Sequence, residues 1–516
     1  MRWRIGLEGV RARTRAAVPE LTRPRRLPPL RRLASTARHL GVPIAVWAGG
    51  DRRRSQSVSR AGLSRRLRQA FERLGPTYIK LAQIISSGEG LFPDELVSEL
   101  KRCRDRVPPE SWDDVRRVVE EELGRPLESV FASFDRTPLA AASIAQVHAA
   151  TLVTGEEVVA KVQRPRVAEL VRLDLAMMSW LAPFLVGRIP VASLANPPAL
   201  VELFADTINE ELDFRLEAEN MLDIARMLAD LGQRQFVVPR PHPELVTRRL
   251  LVMERLSGFA FGDVAGMHGA GIDTEAVVRT GMVAFLEGAM LHGIFHGDLH
   301  GGNLFVQPDG RTALLDYGIT GRLDEPRRLA FLRLLMGSIT NDIEAQLSAL
   351  RDLGALPADA DLQAVIRDLR LDQPALDPTS LSGDELVAEL RRLVKALLGY
   401  GARLPKELML FIKNMVFLDG AIATLAPDLD LFAEIANVAT HFATAHGERL
   451  ARDIGIDAGA VQVDLTGVKA SFGVAPETEG LTYRELQQRR DVIRARFGER
   501  ESGGRAGRRR RWRRRR

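Results

Sequence analysis

The stretch that most constrains this chain runs Phe295-His296-Gly297-Asp298-Leu299-His300-Gly301-Gly302-Asn303-Leu304, with a second acidic turn at Leu314-Leu315-Asp316-Tyr317-Gly318. Asp298 can orient or deprotonate an attacking hydroxyl. Asn303, five residues on, and Asp316, thirteen beyond that, can each ligate Mg²⁺. A lone His-x-Asp more often satisfies its own hydrogen bonds within a loop. The two segments at this spacing point instead to a nucleotide and metal site, with ATP or ADP and Mg²⁺ as the expected cofactors.

Upstream lies Pro138-Leu139-Ala140-Ala141-Ala142-Ser143-Ile144-Ala145-Gln146-Val147-His148, followed by strand-like runs over Val147–Val153 and Val158–Val162 that turn through Thr154-Gly155. The segment Ala140 to Val147 takes the position of a phosphate loop, with Ala where Gly is usual. Alanine still lets backbone approach phosphates but restricts positive φ. Lys161 sits inside the second apolar run. A lysine there either snorkels from an edge strand or is paired with phosphate oxygens and an acid. Acids come from Asn209-Glu210-Glu211-Leu212-Asp213-Phe214-Arg215-Leu216-Glu217, where Glu210, Asp213 and Glu217 would share one helical face. An exposed acidic helix face is the plainer reading of that run. Strand-like segments at Phe236-Val237-Val238 and Leu250 to Glu254 follow, the second running through Met253 and Glu254 towards Gly258 as a hinge against adenine would.

Before this body, Leu63, Leu67, Phe71, Leu74 and then Ile79, Leu81, Ile84 recur at helical spacing, and Gly75-Pro76 splits them into two helices. A third begins near Pro93-Asp94-Glu95. After Thr274 the pattern is helical up to the catalytic loop, and Pro308-Asp309-Gly310 turns a hairpin beyond it. Only a few residues separate Gly318 from a new helix at Glu325-Pro326. That leaves no room for the long segment that seats a peptide substrate in a protein kinase.

The net charge of +6 hides an uneven distribution. Residues 1–60 hold 15 Arg and three acids, residues 501–516 hold nine Arg and one acid, so the ends carry +12 and +8 and the middle −14. Arg-rich ends are either solvated tails or attachments to an anionic membrane surface, where each Arg adds on the order of 1 kcal/mol. Trp512 within Arg508 to Arg516 suits a membrane interface. Nucleic acid is not the expected partner. No apolar run approaches the roughly 18–20 residues of a membrane span; Leu175 to Val186 is the longest candidate. The N-terminus lacks an apolar core and cleavage pattern, so secretion is not expected. One cysteine, Cys103, excludes an internal disulfide framework.

Together, Lys80-Leu81-Ala82-Gln83, Ala140 to His148, Glu211-Leu212-Asp213-Phe214 with Glu217-Ala218 and Asn220, His296 to Asn303, and Asp316-Tyr317-Gly318 resemble the UbiB family of atypical kinase-like ATPases over roughly residues 61–440. The resemblance implies an α+β, two-lobed protein-kinase-like fold with an N-terminal helical extension packed over the active site. It implies ATPase rather than protein-kinase activity, and a supporting role in isoprenoid-quinone biosynthesis at membranes, with quinone-biosynthesis proteins as further partners. By it, Lys161 is the nucleotide-phosphate lysine, Glu217 its partner, Asp298 the catalytic-loop acid, and Asn303 and Asp316 the metal ligands. Lys80 and Gln83 are the extension's K-x-G-Q motif, with Lys80 paired to Glu211 and Asp213. Ala140, Ala141, Ala142, Ser143, Ile144, Ala145, Gln146, Val147, Met253 and Glu254 complete the nucleotide contacts.

The departures are Ala82 for Gly, Tyr317 for Phe, and Leu299 and Gly301 for two prolines. The last pair brings the loop closer to the H-G-D-x-H-x-x-N of aminoglycoside and choline phosphotransferases. A small-molecule phosphotransferase and a nucleotide-binding scaffold therefore stay open beside the ATPase. The expected organisation is a basic, mostly irregular arm over 1–60, a helical extension over 61–135, an N-lobe over 136–256, a helical C-lobe over 257–450, and a C-terminal region over 451–516 ending in the Arg-rich tail. The protein is expected to be cytoplasmic and peripheral on the membrane, without a transmembrane helix and with its oligomeric state open.

Overall fold

Among the described residues twelve strands in three sheets hold the centre of the chain, and helices precede and follow them. The computed structural model describes residues 2–24, 27–49, 56–86, 94–103, 108–185, 197–340, 342–371, 399–402, 405–455, 466, 469, 474, 475 and 477–492. The Arg508 to Arg516 tail lies outside them.

The N-lobe sheet has the order β1-β3-β4-β7-β6, with β2 on the side of β3. Its strands are β1 Phe131–Phe134, β2 Ala140–Ala141, β3 Ala145–Leu152, β4 Glu157–Gln163, β6 Pro241–Val246 and β7 Leu250–Glu254. Pairing is antiparallel, and Val147, Lys161 and Leu251 lie opposite one another in successive strands. Side chains alternate across a sheet. Val158, Ala160, Val162, Leu250 and Val252 therefore form one face, packed with Val115, Val118 and Val119 of the Trp112–Leu123 helix. Lys161, Val159, Leu251 and Met253 turn to the other face, towards the main core.

Strand β5, Phe236–Val237, stands outside the N-lobe sheet and pairs in parallel with β11, Thr312–Leu314, in a second sheet ordered β5-β11-β10-β8. This sheet underlies the C-lobe, whose β10 and β11 form the predicted hairpin. Here β8 is Phe259–Ala260 and β10 Leu304–Val306. A Cβ added to Gly258 would meet Val306 O at 2.6 Å, so the crossing between lobes needs glycine.

Residues 1–60 correct the reading of an irregular arm. Helices form over Leu7–Ala16, Val18–Leu21, Leu30–Thr36 and Val42–Gly49, and a fifth starts at Gln56. Leu7, Val10, Val18 and Leu21 make a helical stripe that joins the main core. The prolines do not oppose this. Pro19 lies in a first turn and Pro29 at an N-cap, where the missing N–H costs nothing. Arginine is itself a good helix former.

The acidic run is also corrected. One helix was expected over Glu210 to Glu217; two occur, Pro197–Glu211 and Phe214–Asp230, because Asp213 leaves the helical region and caps the second by accepting from Arg215 N. Among the described residues one helix, Lys406–Leu425, is long and apolar enough to cross a membrane, at mean hydropathy 1.6. Lys413, Asn414 and Asp419 interrupt its apolar run, which is why the sequence did not single it out. In the fold it packs Leu410, Phe411 and Leu418 into the core under the catalytic loop.

Candidate active site

Strand β4 delivers Lys161 from beneath the sheet, where its Nζ meets Glu217 Oε1 at 2.7 Å and Asp316 Oδ1 at 3.1 Å. Burial opposes the charge on Lys161, yet Asp316 and Glu217 hold the ammonium above its usual range. Burial pushes Glu217 up to about 7 against the pull of Lys161. The short contact to an ammonium favours the carboxylate form, so the ion pair is the state we assign. The edge-snorkelling alternative for Lys161 is excluded, since β4 is flanked on both sides by β3 and β7.

Asp316 stands at φ 51, in the left-handed region, an uncommon conformation for a residue with a side chain. It is held there by its own Oδ1, which accepts from Gly318 N at 3.2 Å. Its side chain is 45% exposed, so it reaches open cleft. Desolvation works against its charge, but Lys161 and Lys80 hold it well below the usual carboxylate range. Tyr317 O accepts from Asn220 Nδ2 at 2.9 Å, tying this turn to the Phe214–Asp230 helix.

The catalytic loop leaves β9, Ile294–His296, and passes Asp298 to a short turn at Gly301–Asn303. His296 is fully placed by two bonds: Nδ1 accepts from Asp298 N at 3.1 Å and Nε2 donates to Leu315 O at 3.1 Å. That pattern requires neutral imidazole, in agreement with the lowering of its pKa by burial. Asn303 Nδ2 donates to Asp298 O at 3.1 Å and Leu315 N to Asn303 O at 2.8 Å, so the two acidic turns are laced together. With the Asn303 amide nitrogen engaged, its oxygen is the donor left to a cation. An amide oxygen and an ionised carboxylate are the hard donors that Mg²⁺ takes, and on that ground Asn303 and Asp316 fit the ion.

Two side chains that contact the loop of Asp298 escaped the sequence reading. Lys413, on the Lys406–Leu425 helix, forms an ion pair with Asp298 Oδ1. The adjacent Asn414, fully buried, donates from Nδ2 to His296 O and accepts from Leu299 N at 3.1 Å. Burial works against the Asp298 carboxylate, but Lys413 and then Lys80 hold it well below the usual range. A charged residue next to an Asn in the middle of an otherwise apolar stretch, Leu408 to Leu418, was the one available signal.

The extension enters the same space. Lys80, on the Pro76–Ser86 helix, pairs with Glu211 Oε1 at 2.8 Å and lies in the field of Asp298 and Asp316. Gln83 follows at i+3 on that helix. The expected second partner, Asp213, is elsewhere: its oxygens take Arg215 Nη2 at 2.7 Å and Nε at 2.9 Å. The helix break at Leu212-Asp213 turned it away. Glu210 meets Lys406 at 3.3 Å, so the clustered acids each answer a separate cation rather than forming a solvated face.

Ala140 and Ala141 pair with Val147 and Gln146, and Ala142 N closes the turn on Ala145 O at 2.9 Å. None of these alanines has positive φ. Ser143, Ile144 and Ala145 are buried. Arg164 fastens the turn from below, donating Nε to Ala142 O at 3.0 Å and Nη1 to Pro108 O at 2.9 Å, so the loop is tied to the connection from the extension. Register puts Val147 on the Lys161 face, with Met253 beside it, but Gln146 and Glu254 on the opposite one. Gln146 instead bonds His148 at 3.1 Å, and Glu254 bonds Arg240. These two can meet a nucleotide only through backbone.

After Gly318, β12, Thr320–Arg322, pairs at once with β9, Thr320 opposite His296 and Arg322 opposite Ile294. The next helix starts at Glu325, capped by Asp324. A paired lysine, an Asp–Asn–Asp set and a five-stranded N-lobe path over a helical C-lobe define a protein-kinase-like scaffold lacking a peptide-seating segment.

The description "ABC1 atypical kinase-like domain" matches residues 102–349. An uncharacterised protein of Mycobacterium tuberculosis is 38% identical over 372 residues, 71% of this chain and 76% of that one. A chloroplastic aarF domain-containing protein kinase of Arabidopsis thaliana is 34% identical, covering 71% and 73%. A probable protein kinase UbiB of Shewanella loihica is also 34% identical, covering 71% and 67%. The chain belongs to the ABC1 family of atypical kinase-like proteins, which includes UbiB.

Proposed function

We propose that this protein is a Mg²⁺-dependent ATPase that works at a membrane surface in isoprenoid-quinone or related lipid metabolism. The observation that carries the ATPase reading is Lys80. It reaches from the N-terminal extension into the site, bonds Glu211 and faces Asp298 and Asp316. A protein substrate would have to bring its hydroxyl to Asp298 through the space this helix holds, whereas water need not. Lys161 neutralises phosphate oxygens, Asp298 positions the attacking water, and Asn303 and Asp316 hold the metal, which when bound supplies charge neutralisation at the phosphates.

The membrane component rests on the first 60 residues. Ile5, Leu27, Leu30, Val42 and Val46 are exposed among arginines, as in segments that lie in a headgroup layer. The name UbiB of several relatives favours the quinone assignment.

The test is phosphate release from ATP with Mg²⁺, with and without anionic liposomes, using Asp316→Asn as blank. Release that rises with liposomes and vanishes in the variant supports the proposal. Stoichiometric transfer to an added alcohol would favour the small-molecule phosphotransferase, for which Leu299 and Gly301 in place of two prolines and the short segment after Gly318 speak. Nucleotide binding without release under any condition would favour a scaffold.

A further inference from the structure

In the C-lobe, Glu287 ends the Thr274–Glu287 helix with its carboxylate buried. Its Oε1 lies 2.7 Å from Nε2 of His441 and 2.7 Å from Nε2 of His446, both on the Leu431–Ile454 helix. Its Oε2 accepts from Gln233 Nε2 at 2.6 Å. Among the described residues no lysine or arginine forms an ion pair with Glu287. A buried carboxylate ordinarily requires a cation, and the side chains bonded to this one among the described residues are two imidazoles and an amide.

We propose that Glu287, His441 and His446 bind a divalent d-block cation, Zn²⁺ or one of similar coordination chemistry. Two imidazole nitrogens and one carboxylate oxygen are an established three-ligand set for Zn²⁺, with water in the fourth position. Metal–ligand bonds of about 2.0–2.1 Å in tetrahedral geometry separate donors by about 3.3 Å, so each imidazole must retreat by about 0.6 Å. His441 has room to do so, with 39% of its side chain exposed. Gln233, bonded to the second oxygen, fixes the carboxylate plane as outer partners of metal ligands do.

The ion would clamp the Leu431–Ile454 helix to the segment that feeds the catalytic loop. Glu287 is followed by a π-helical turn over Gly288–His292, and then by β9 carrying His296. The proposed site shares no residue with the nucleotide site and stands or falls independently of the ATPase reading.

The test uses the full-length protein, stripped with chelator and kept in excess Mg²⁺ so that the Asp316 site is filled. Titration with Co²⁺ should give one equivalent of tight binding with the intense visible bands of a tetrahedral ion, displaced by Zn²⁺. Single changes His441→Ala and His446→Ala should each weaken binding at least 100-fold, and Gln233→Ala about 10-fold, while Asp316→Asn leaves it unchanged. Zn²⁺ should raise the melting temperature of the parent but not of a His441→Gln/His446→Gln double variant, whose melting in metal-free buffer reports that it folds. No stoichiometric binding by the parent, or binding retained by the folded double variant, overturns the proposal.

Discussion

Replacing Lys413 by Met removes the cation nearest Asp298 while keeping the length of the side chain in its helix. Two unit charges about 4 Å apart interact by about 4 kcal/mol at an effective dielectric of about 20. Both side chains keep a little solvent contact, 19% and 17%, and Lys80 also acts on Asp298. We therefore take about half, about 2 kcal/mol. The sign follows from the depressed folded-state pKa of Asp298. The pair stabilises the fold above the ordinary carboxylate pKa, and that contribution disappears as pH falls through the folded value. The variant should thus be less stable by about 2 kcal/mol at pH 7, with the deficit shrinking below about pH 4. Urea unfolding at a series of pH values measures this without requiring activity. In the phosphate-release assay the acid limb should move to higher pH, since Asp298 stays ionised at neutral pH but protonates earlier as the pH falls. Equal stabilities at pH 7 together with an unmoved acid limb would refute the pairing.

Asp316→Asn should abolish Mg²⁺-dependent nucleotide binding while the melting temperature changes little; Mg²⁺-ATP affinity kept in calorimetry would contradict the metal assignment. Lys80→Met should raise phosphate release or alter acceptor preference without weakening Mg²⁺ binding, and a loss of Mg²⁺ affinity would count against its placement in the extension's contact. Leu7→Ala should cost about 2–5 kcal/mol in chemical denaturation, because Leu7 is only 1% exposed in the main core; a loss below about 0.5 kcal/mol would restore the picture of an irregular arm. Tyr317→Phe should be neutral or stabilising by up to about 1–3 kcal/mol, since the buried hydroxyl finds no hydrogen-bond partner among the described residues; clear destabilisation would mean that the hydroxyl is satisfied.

The parts that were legible in the sequence are those whose chemistry needs fixed local spacing. Asp298, Asn303 and Asp316 belong to two turns joined by one hairpin, and Lys161 and Glu217 stand out because a buried lysine requires an acid. Lys413 and Asn414 were hidden because they arrive from 115 residues away on a helix that otherwise reads as core. Asp213 was misplaced for a local reason: Leu212 and Asp213 continue the helical spacing, but aspartate is also a strong N-cap, and the cap prevailed. In residues 1–60 the arginine excess masked a sparse stripe that needs the core on its other side to become visible. Arg11 shows the consequence, bonding Glu219 at 2.9 Å and Asn220 at 3.0 Å on the helix that carries Glu217.

The balance of charge in the cleft also constrains how nucleotide can enter. Four carboxylates, Glu211, Glu217, Asp298 and Asp316, face three lysines, Lys80, Lys161 and Lys413, leaving one negative charge before any ligand binds. Glu211, Glu217 and Asp298 each lie against a lysine in a largely desolvated setting, while Asp316 shares Lys161 with Glu217 and is the most exposed of the four. Free ATP would therefore meet net repulsion, and a cation at Asp316 would reverse it. The nucleotide should accordingly bind far more weakly without Mg²⁺ than with it, and the difference should narrow in Asp316→Asn because that variant removes the excess carboxylate along with the metal ligand. A parent protein that binds ATP equally well with and without Mg²⁺ would show that Lys80 and Lys413, rather than the metal, neutralise the phosphates, and would move the site towards metal-independent nucleotide sensing.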